Sequence, residues 1–225
     1  KAYCAKEPIK MVLNMNCQRF PDKLSHNVIG EMRGSVYPEK IIAVGGHLDS
    51  WDVGEGAHDD GAGIVHSMEA VRILKAINYQ PKYTLRVVFF MNEEFGNSGG
   101  IEYAEEARRL GEQHIAAIES DRGGFTPRGF TLDGSEKQLK LLQSFEKYLS
   151  DYDLHKFEVG FSGVDINPLK EVYDDIALFG FIPDSQRYFD YHHNANDVFE
   201  NVNKRELELG AAAIAALIYL LDQNL

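Results

Sequence analysis

The sequence of 225 residues predicts a three-layer α/β fold, in which a mostly parallel central sheet carries helices on both faces. Short apolar runs rich in β-branched and aromatic residues alternate along the chain with longer segments whose apolar residues recur at helical spacing. Glycine and turn residues are spread evenly, without an internal repeat or a low-complexity linker. We therefore expect a single domain over residues 1–225.

Apolar runs predict seven strands. The clearest run, residues 84–90, is continuously β-branched and aromatic, apart from one arginine, as expected of a strand buried on both faces. Residues 27–32 and 41–44 are predicted to be strands joined by a turn over residues 35–40, where Pro38 suits a turn position. The other predicted strands are residues 10–17, 115–119, 154–159 and 176–181.

Helical periodicity predicts the elements between and after these strands. A helix over residues 61–76 is expected from the spacing of Ile64, Met68, Val71 and Leu74. The other predicted helices are residues 100–110, residues 136–149 with Leu139, Leu142, Phe145 and Leu149 on one side, a short stretch after Asn167, and residues 204–221 with Leu207, Ala211, Ile214, Ile218 and Leu221 inward.

Composition excludes several functional classes. The chain has 23 Lys and Arg against 35 Asp and Glu, a formal charge of −12 without a basic cluster, which argues against nucleic acid and against an anionic membrane surface. The longest apolar stretch, residues 211–221, is shorter than the roughly 20 residues that span a bilayer, so we expect no membrane span. Because the chain opens with Lys1, we expect a processed or truncated product. Cys4 and Cys17 could form a disulfide or remain two free thiols.

Polar side chains follow the predicted strands at the positions where an open α/β sheet binds ligands. Singly, each has an ordinary explanation: an Asp pair before a helix is most often a cap that complements the helix dipole, and Asp60 fits that role. Together they form a set of carboxylates and imidazoles, which zinc accepts readily, so the conjunction predicts a metal site. The residues are His47, Asp49, Asp59, Asp60, Glu93, Glu94, Asp121, His192 and His193.

Four segments carry a resemblance to a known family. GGHLDSWDVGEGAHDDGAG, FFMNEEFG, IESDRGG and YHHNANDVFE resemble, in order and spacing, the dinuclear zinc exopeptidases. The resemblance runs from about Asn27 to the C-terminus and implies a phosphorylase/hydrolase-like α/β domain with two zinc ions. It also implies that the family's catalytic domain has further residues on the N-terminal side of this chain.

The resemblance implies a role for each matching residue. His47 and Asp121 would hold one zinc ion. Glu94 and His193 would hold the other, and Asp59 would bridge the two. His193 is preferred to its neighbour His192 because the family ligand stands four positions before an Asp, here Asp197.

Two further residues would support the reaction. Glu93 would be the general base, and Asp49 would orient His47 through its other ring nitrogen. The resemblance also implies a cis peptide bond between Asp59 and Asp60.

Other residues near these segments keep two interpretations. Asp165 could line a substrate pocket or cap a helix, and Tyr191 could donate a hydrogen bond or simply pack as an aromatic ring.

The resemblance implies an exported exopeptidase that hydrolyses dipeptides or short peptides, of the aminopeptidase or dipeptidase type. A mononuclear zinc glutaminyl cyclase and a non-catalytic binding domain of the same fold are the alternatives. Filled ligand positions for two ions and a filled base position favour the peptidase. The sequence leaves open whether the protein is a homodimer.

Overall fold

The computed structural model describes residues 10–225, and seven strands in them form one sheet. The strands are β1 (Val28–Met32), β2 (Tyr37–His47), β3 (Tyr83–Phe90), β4 (Gln113–Glu119), β5 (Pro127–Asp133), β6 (Lys156–Val159) and β7 (Ala177–Pro183).

The strand order is β1-β3-β2-β4-β7-β5-β6. Strands β3, β2, β4 and β7 run parallel to one another, and β5 runs parallel to β6. The pairs β1–β3 and β5–β7 are antiparallel. The prediction of a mostly parallel sheet is therefore confirmed, and β3, β2 and β4 end side by side at the same edge.

Helices cover both faces of this sheet, which confirms the three layers. Alternate side chains of a strand point to opposite faces: Ile42 of β2 belongs to one apolar core with Ile214, and Ile41 belongs to the other with Ala104. The helices are α1 (Ala62–Ala76), α2 (Ser98–Leu110), α3 (Glu136–Ser144), α4 (Glu146–Leu149) and α5 (Lys204–Asn224), and shorter turns of helix are Ala57–Gly61, Ser150–Tyr152, Asn167–Glu171, Ser185–Asp190 and Phe199–Asn201.

The prediction of a strand over residues 10–17 is wrong. Residues 10–26 form neither helix nor strand, and side chains such as Met11 and Leu13 are exposed. The local pattern suits a strand, but within residues 10–225 no strand pairs with this segment, and a strand needs a partner for its backbone groups. Cys17 is exposed, whereas Cys4 lies outside the described residues, so a disulfide and two free thiols both stay open.

The turn predicted over residues 35–40 is shorter in the structure. Tyr37 already begins β2, so Pro38 lies inside a strand. The two strands flanking the turn are not paired with each other, because β3 lies between them and pairs with both. Strand β5 was not predicted, because its sequence contains a proline and a glycine. The helix predicted over residues 136–149 is interrupted at Phe145 and forms α3 and α4.

Of the four apolar residues that predict helix α1, Leu74 is buried and Ile64 and Val71 are partly buried. Met68 is exposed, and the fully buried positions include His66, Ser67 and Ala70. The cause is close packing against α5, where a Cβ on Gly210 would lie only 2.3 Å from the His66 ring. Small and polar residues fill this contact, so periodicity of large apolar residues could not predict it.

A buried carboxylate fastens the end of α5 to the sheet. Asp222 accepts hydrogen bonds from the Tyr79 hydroxyl at 2.5 Å and from the backbone N–H groups of Lys82 and Tyr83, each at 2.9 Å. Among the helices of residues 10–225, none is both long and apolar enough to cross a membrane.

Candidate metal centre

The predicted site residues come from loops that meet at one edge of the sheet. His47 ends β2, Glu93 and Glu94 follow β3, and Asp121 follows β4. Because these three strands are parallel neighbours, their carboxyl ends bring the side chains together. The two remaining contributions are Asp59, in the turn before α1, and the histidine pair in the loop after β7.

Asp59 lies between two groups of side chains. On one side, His47 Nε2 is 3.4 Å from Asp59 Oδ1 and 3.5 Å from Asp121 Oδ1. On the other side, His193 Nε2 is 3.2 Å from Asp59 Oδ2 and 3.0 Å from Glu94 Oε2. The arrangement brings together all five residues that the resemblance implies as ligands, with one Asp59 oxygen facing each side.

His192 lies farther from this centre than His193. Its Nε2 is 3.7 Å from Asp59 Oδ2, and its ring stacks on the His193 ring with the centroids 3.6 Å apart. Asp59, His192 and His193 nevertheless offer donor atoms within 4.8 Å of one another, so His192 is close enough to be an alternative ligand.

The donor atoms fit a divalent cation. Four of them are buried and have no hydrogen-bond partner within residues 10–225: His47 Nε2, Asp59 Oδ2, Glu94 Oε1 and Asp121 Oδ1. Unpaired buried polar atoms are costly, and imidazole nitrogen with carboxylate oxygen is a donor set that zinc prefers. Burial, together with the neighbouring Asp59 carboxylate, raises the pKa of Asp121 and of Glu94.

The resemblance implies that Asp49 orients His47, but in the structure the Asp49 carboxylate contacts the backbone of Glu93 and Glu94. His47 Nδ1 lies 2.8 Å from the backbone carbonyl oxygen of Asp49, whereas the carboxylate is 3.8 Å away. That carboxylate instead accepts hydrogen bonds from the backbone N–H groups of Glu93 at 3.0 Å and Glu94 at 3.2 Å. Asp49 therefore orients His47 through its main chain and fixes the Glu93–Glu94 loop through its side chain.

The pKa of the Glu93 carboxyl lies close to neutral. Burial raises the pKa of its carboxyl to about 7; the negative charges of Asp121 and Glu94 add to this effect and His47 opposes it. A general base is most effective when its pKa is close to the working pH.

Asp60 is buried, and its side chain accepts hydrogen bonds from backbone N–H groups. Its carboxylate accepts from the N–H of His47 at 3.0 Å and from the N–H of Gly63, in the first turn of α1, at 2.9 Å. The second bond confirms that Asp60 supports the helix start. The peptide bond between Asp59 and Asp60 is cis.

Two residues of the site were missed by sequence reasoning. Asp197 is buried and accepts from the backbone N–H groups of His58 at 2.6 Å and Asp59 at 3.2 Å, so it fixes the turn that presents Asp59. Trp51 donates its indole N–H to Glu94 Oε2 at 2.7 Å. Their partners are distant in sequence, and no local pattern signals the contacts.

The sequence left two interpretations open for Asp165 and two for Tyr191, and the structure bears on each residue differently. Asp165 is fully buried, and both its oxygens lack a hydrogen-bond partner in the described part of the chain, so it caps no helix. Its loop is held by Glu119, which accepts from the N–H groups of Val164 and Ile166. Tyr191 packs with its ring centroid 4.8 Å from that of His58, which supports the packed aromatic.

The fold and the site together define a class. Histidine and carboxylate donors that converge at the carboxyl edge of a largely parallel sheet, beside a half-buried glutamate of raised pKa, are typical of α/β metallohydrolases. The chain belongs to Peptidase family M28, whose model matches residues 27–218.

Individual relatives agree with this membership. Human carboxypeptidase Q is 34% identical over 218 residues, which are 96% of this chain and 46% of the relative. A Peptidase M28 precursor from Shewanella amazonensis superposes with a TM-score of 0.81 at 30% identity, over 87% of this chain and 44% of that one. The chain thus spans less than half the length of these relatives.

More distant structures share the fold alone. A zinc aminopeptidase from Bacillus subtilis has a TM-score of 0.66 at 20% identity, over 86% of this chain and 49% of that one. A glutaminyl cyclase from an Acidobacteriales bacterium has a TM-score of 0.68 at 19% identity, over 88% of this chain and 73% of that one.

Proposed function

We propose that this chain is the catalytic part of a zinc-dependent exopeptidase that hydrolyses dipeptides or short peptides with two metal ions. The observation that carries the proposal is the position of Asp59 between two pairs of side chains. Its Oδ1 lies 3.4 Å from His47 Nε2, which is 3.5 Å from Asp121, and its Oδ2 lies 3.2 Å from His193 Nε2, which is 3.0 Å from Glu94. A carboxylate placed between two sets of donors is the arrangement that a pair of metal ions requires.

In this proposal the five ligands hold the ions and Glu93 moves the proton. Zinc held there would supply the Lewis acidity that lowers the pKa of a water molecule and polarises the scissile carbonyl. Glu93 accepts a proton from the attacking water as the new carbon–oxygen bond forms. It returns that proton to the leaving amine as the carbon–nitrogen bond breaks, so the net reaction adds one water across the peptide bond.

The residues also bear on the alternatives. The presence of His47 and Asp121 beside the Glu94–His193 pair supports two ions rather than the single ion of a glutaminyl cyclase. A filled base position argues against a binding domain without activity. Export stays a prediction from the resemblance, and the question of a homodimer stays open.

A peptide panel with added zinc tests the activity. We expect the protein to cleave unblocked dipeptides, and not to cyclise a peptide that begins with glutamine, when products are identified by mass spectrometry. The matched control is Glu93→Gln, which keeps the shape of the side chain and should retain two zinc ions per chain by elemental analysis while hydrolysis falls about 10²-fold to 10⁴-fold. Cyclisation without hydrolysis, or full activity of Glu93→Gln, would contradict the proposal.

A further inference from the structure

The single tryptophan of the chain contacts two of the proposed metal ligands at once. Its indole N–H donates to Glu94 Oε2 at 2.7 Å, and its ring centroid lies 5.1 Å from that of His193. These are the residues that would hold the same zinc ion, and their own side chains approach to 3.0 Å. Trp51 therefore forms one wall of that half of the site.

The loop that carries Trp51 is fastened on both sides. It begins at the end of β2, directly after His47 and Asp49. Beyond Trp51, the backbone N–H of Glu55 donates to the carbonyl of Asp197 at 2.8 Å, in the loop that also carries the histidine pair. Trp51 thus has a fixed position between the Glu93–Glu94 loop and the loop after β7.

The hydrogen bond determines how Glu94 is presented. An indole N–H is a donor only, so it fixes one carboxylate oxygen and leaves the other, Oε1, buried and without a hydrogen-bond partner in residues 10–225. Groups that hydrogen-bond to metal ligands orient them, and their loss typically costs 10-fold to 100-fold in metal affinity. Phe95 packs on Trp51 with the centroids 4.8 Å apart and is itself largely exposed.

We propose that Trp51 is a positioning residue for the metal centre, which orients Glu94 through its indole N–H and His193 through its ring. The inference rests on the proposed function, because it concerns the ion held by Glu94 and His193. Trp51 acts through these ligands and is assigned no step in the chemistry.

Zinc affinity measured on the full chain tests this role without any substrate. In a titration of Zn²⁺ against a chelating dye, Trp51→Phe keeps an aromatic ring but removes the N–H donor. We expect it to weaken one of the two binding steps about 10-fold to 100-fold and to leave the other within twofold of wild type. The matched control is Phe95→Leu, which alters the outer packing of Trp51 without touching the hydrogen bond and should bind zinc like wild type.

Wild-type fluorescence provides a second measurement that needs no variant. Because Trp51 is the only tryptophan, its emission should change in step with the filling of the Glu94–His193 position. If wild-type protein binds two zinc ions and Trp51→Phe binds them with the same affinities, the role of Trp51 is overturned but the proposed function is not. The same holds if wild-type protein binds two zinc ions and its emission stays constant through the titration. Wild-type protein that binds no zinc overturns the proposed function as well.

Discussion

Replacing Asp49 with alanine tests which part of the site its carboxylate supports. In the structure the carboxylate accepts hydrogen bonds from the backbone N–H groups of Glu93 and Glu94, while His47 is held by the Asp49 carbonyl. Asp49→Ala removes the first two contacts and preserves the third. The reasoning therefore predicts a loosened Glu93–Glu94 loop and an unchanged His47.

The magnitude follows from these two bonds. A hydrogen bond to a charged group contributes about 1.5–3 kcal/mol, so two of them give roughly 3–6 kcal/mol. The Asp49 side chain is 16% exposed, and water replaces part of the lost bonding. We expect Asp49→Ala to lower the unfolding free energy of the zinc-loaded protein by about 2–4 kcal/mol. Asp49→Asn keeps one acceptor oxygen and should lose about half as much.

Urea unfolding followed by circular dichroism measures this change in unfolding free energy. Dipeptide hydrolysis, measured on the same samples, should show a reduced kcat because the backbone N–H of Glu93 loses its hydrogen-bond acceptor. Asp52→Ala is the matched control, since Asp52 is an exposed acidic residue in the same loop and should stay within about 0.5 kcal/mol of wild type. The reasoning is refuted if Asp49→Ala unfolds like the control, or if its main effect is loss of the zinc ion held by His47.

Three further predictions concern ligand identity, pH and packing. His193→Ala should weaken one zinc-binding step more than His192→Ala does in the dye titration, because His193 lies closer to Asp59 and Glu94; the reverse order would exchange their roles. Burial lowers the pKa of His114 and His66 to about 4, against about 6.5 in the unfolded chain, so the unfolded state binds more protons as pH falls from 6.5 to 4. Each histidine should therefore lose up to roughly 1.4 kcal/mol of its contribution to stability per pH unit in that window, measured as the difference in unfolding free energy between wild type and His114→Gln; a difference that stays constant between pH 6.5 and 4.5 would contradict this. Asp222→Asn should lower the unfolding free energy by about 2–4 kcal/mol in the same assay, because four donors face a buried carboxylate that becomes an amide; a change under 0.5 kcal/mol would show that the anchor of α5 is dispensable.

The sheet and the edge where the site lies could be predicted because each depends on local patterns. A buried strand such as β3 is apolar along most of its length, and the residue types at strand ends are visible in the sequence. What could not be predicted depends on distant partners. Met68 has the spacing of a core residue, but the approach of α5 at Gly210 selects small side chains for the face that is buried instead.

The candidate site likewise has residues that the local sequence predicts and residues that depend on distant partners. Its candidate ligands stand in short segments rich in acidic and histidine residues, so residue type and order were sufficient to propose them. The side chains that hold those ligands in place are scattered: Trp51 meets Glu94 across 43 positions and Asp197 meets Asp59 across 138. The sequence placed Asp49 near His47, but whether its carbonyl or its carboxylate contacts the His47 ring depends on the conformation of the folded loop.

The wide spacing of the ligands along the chain has a consequence for the lifetime of the protein. His47 and His193 meet only after β2, β3 and β4 have paired and the loop after β7 has folded over them, so the unfolded chain offers no comparable site. An ion that binds only the folded form stabilises it by about 2.7 kcal/mol at a free concentration one hundred times its dissociation constant. With the proposed zinc ions bound, resistance to heat and to proteases would thus rise and fall with the zinc supply of the surrounding compartment.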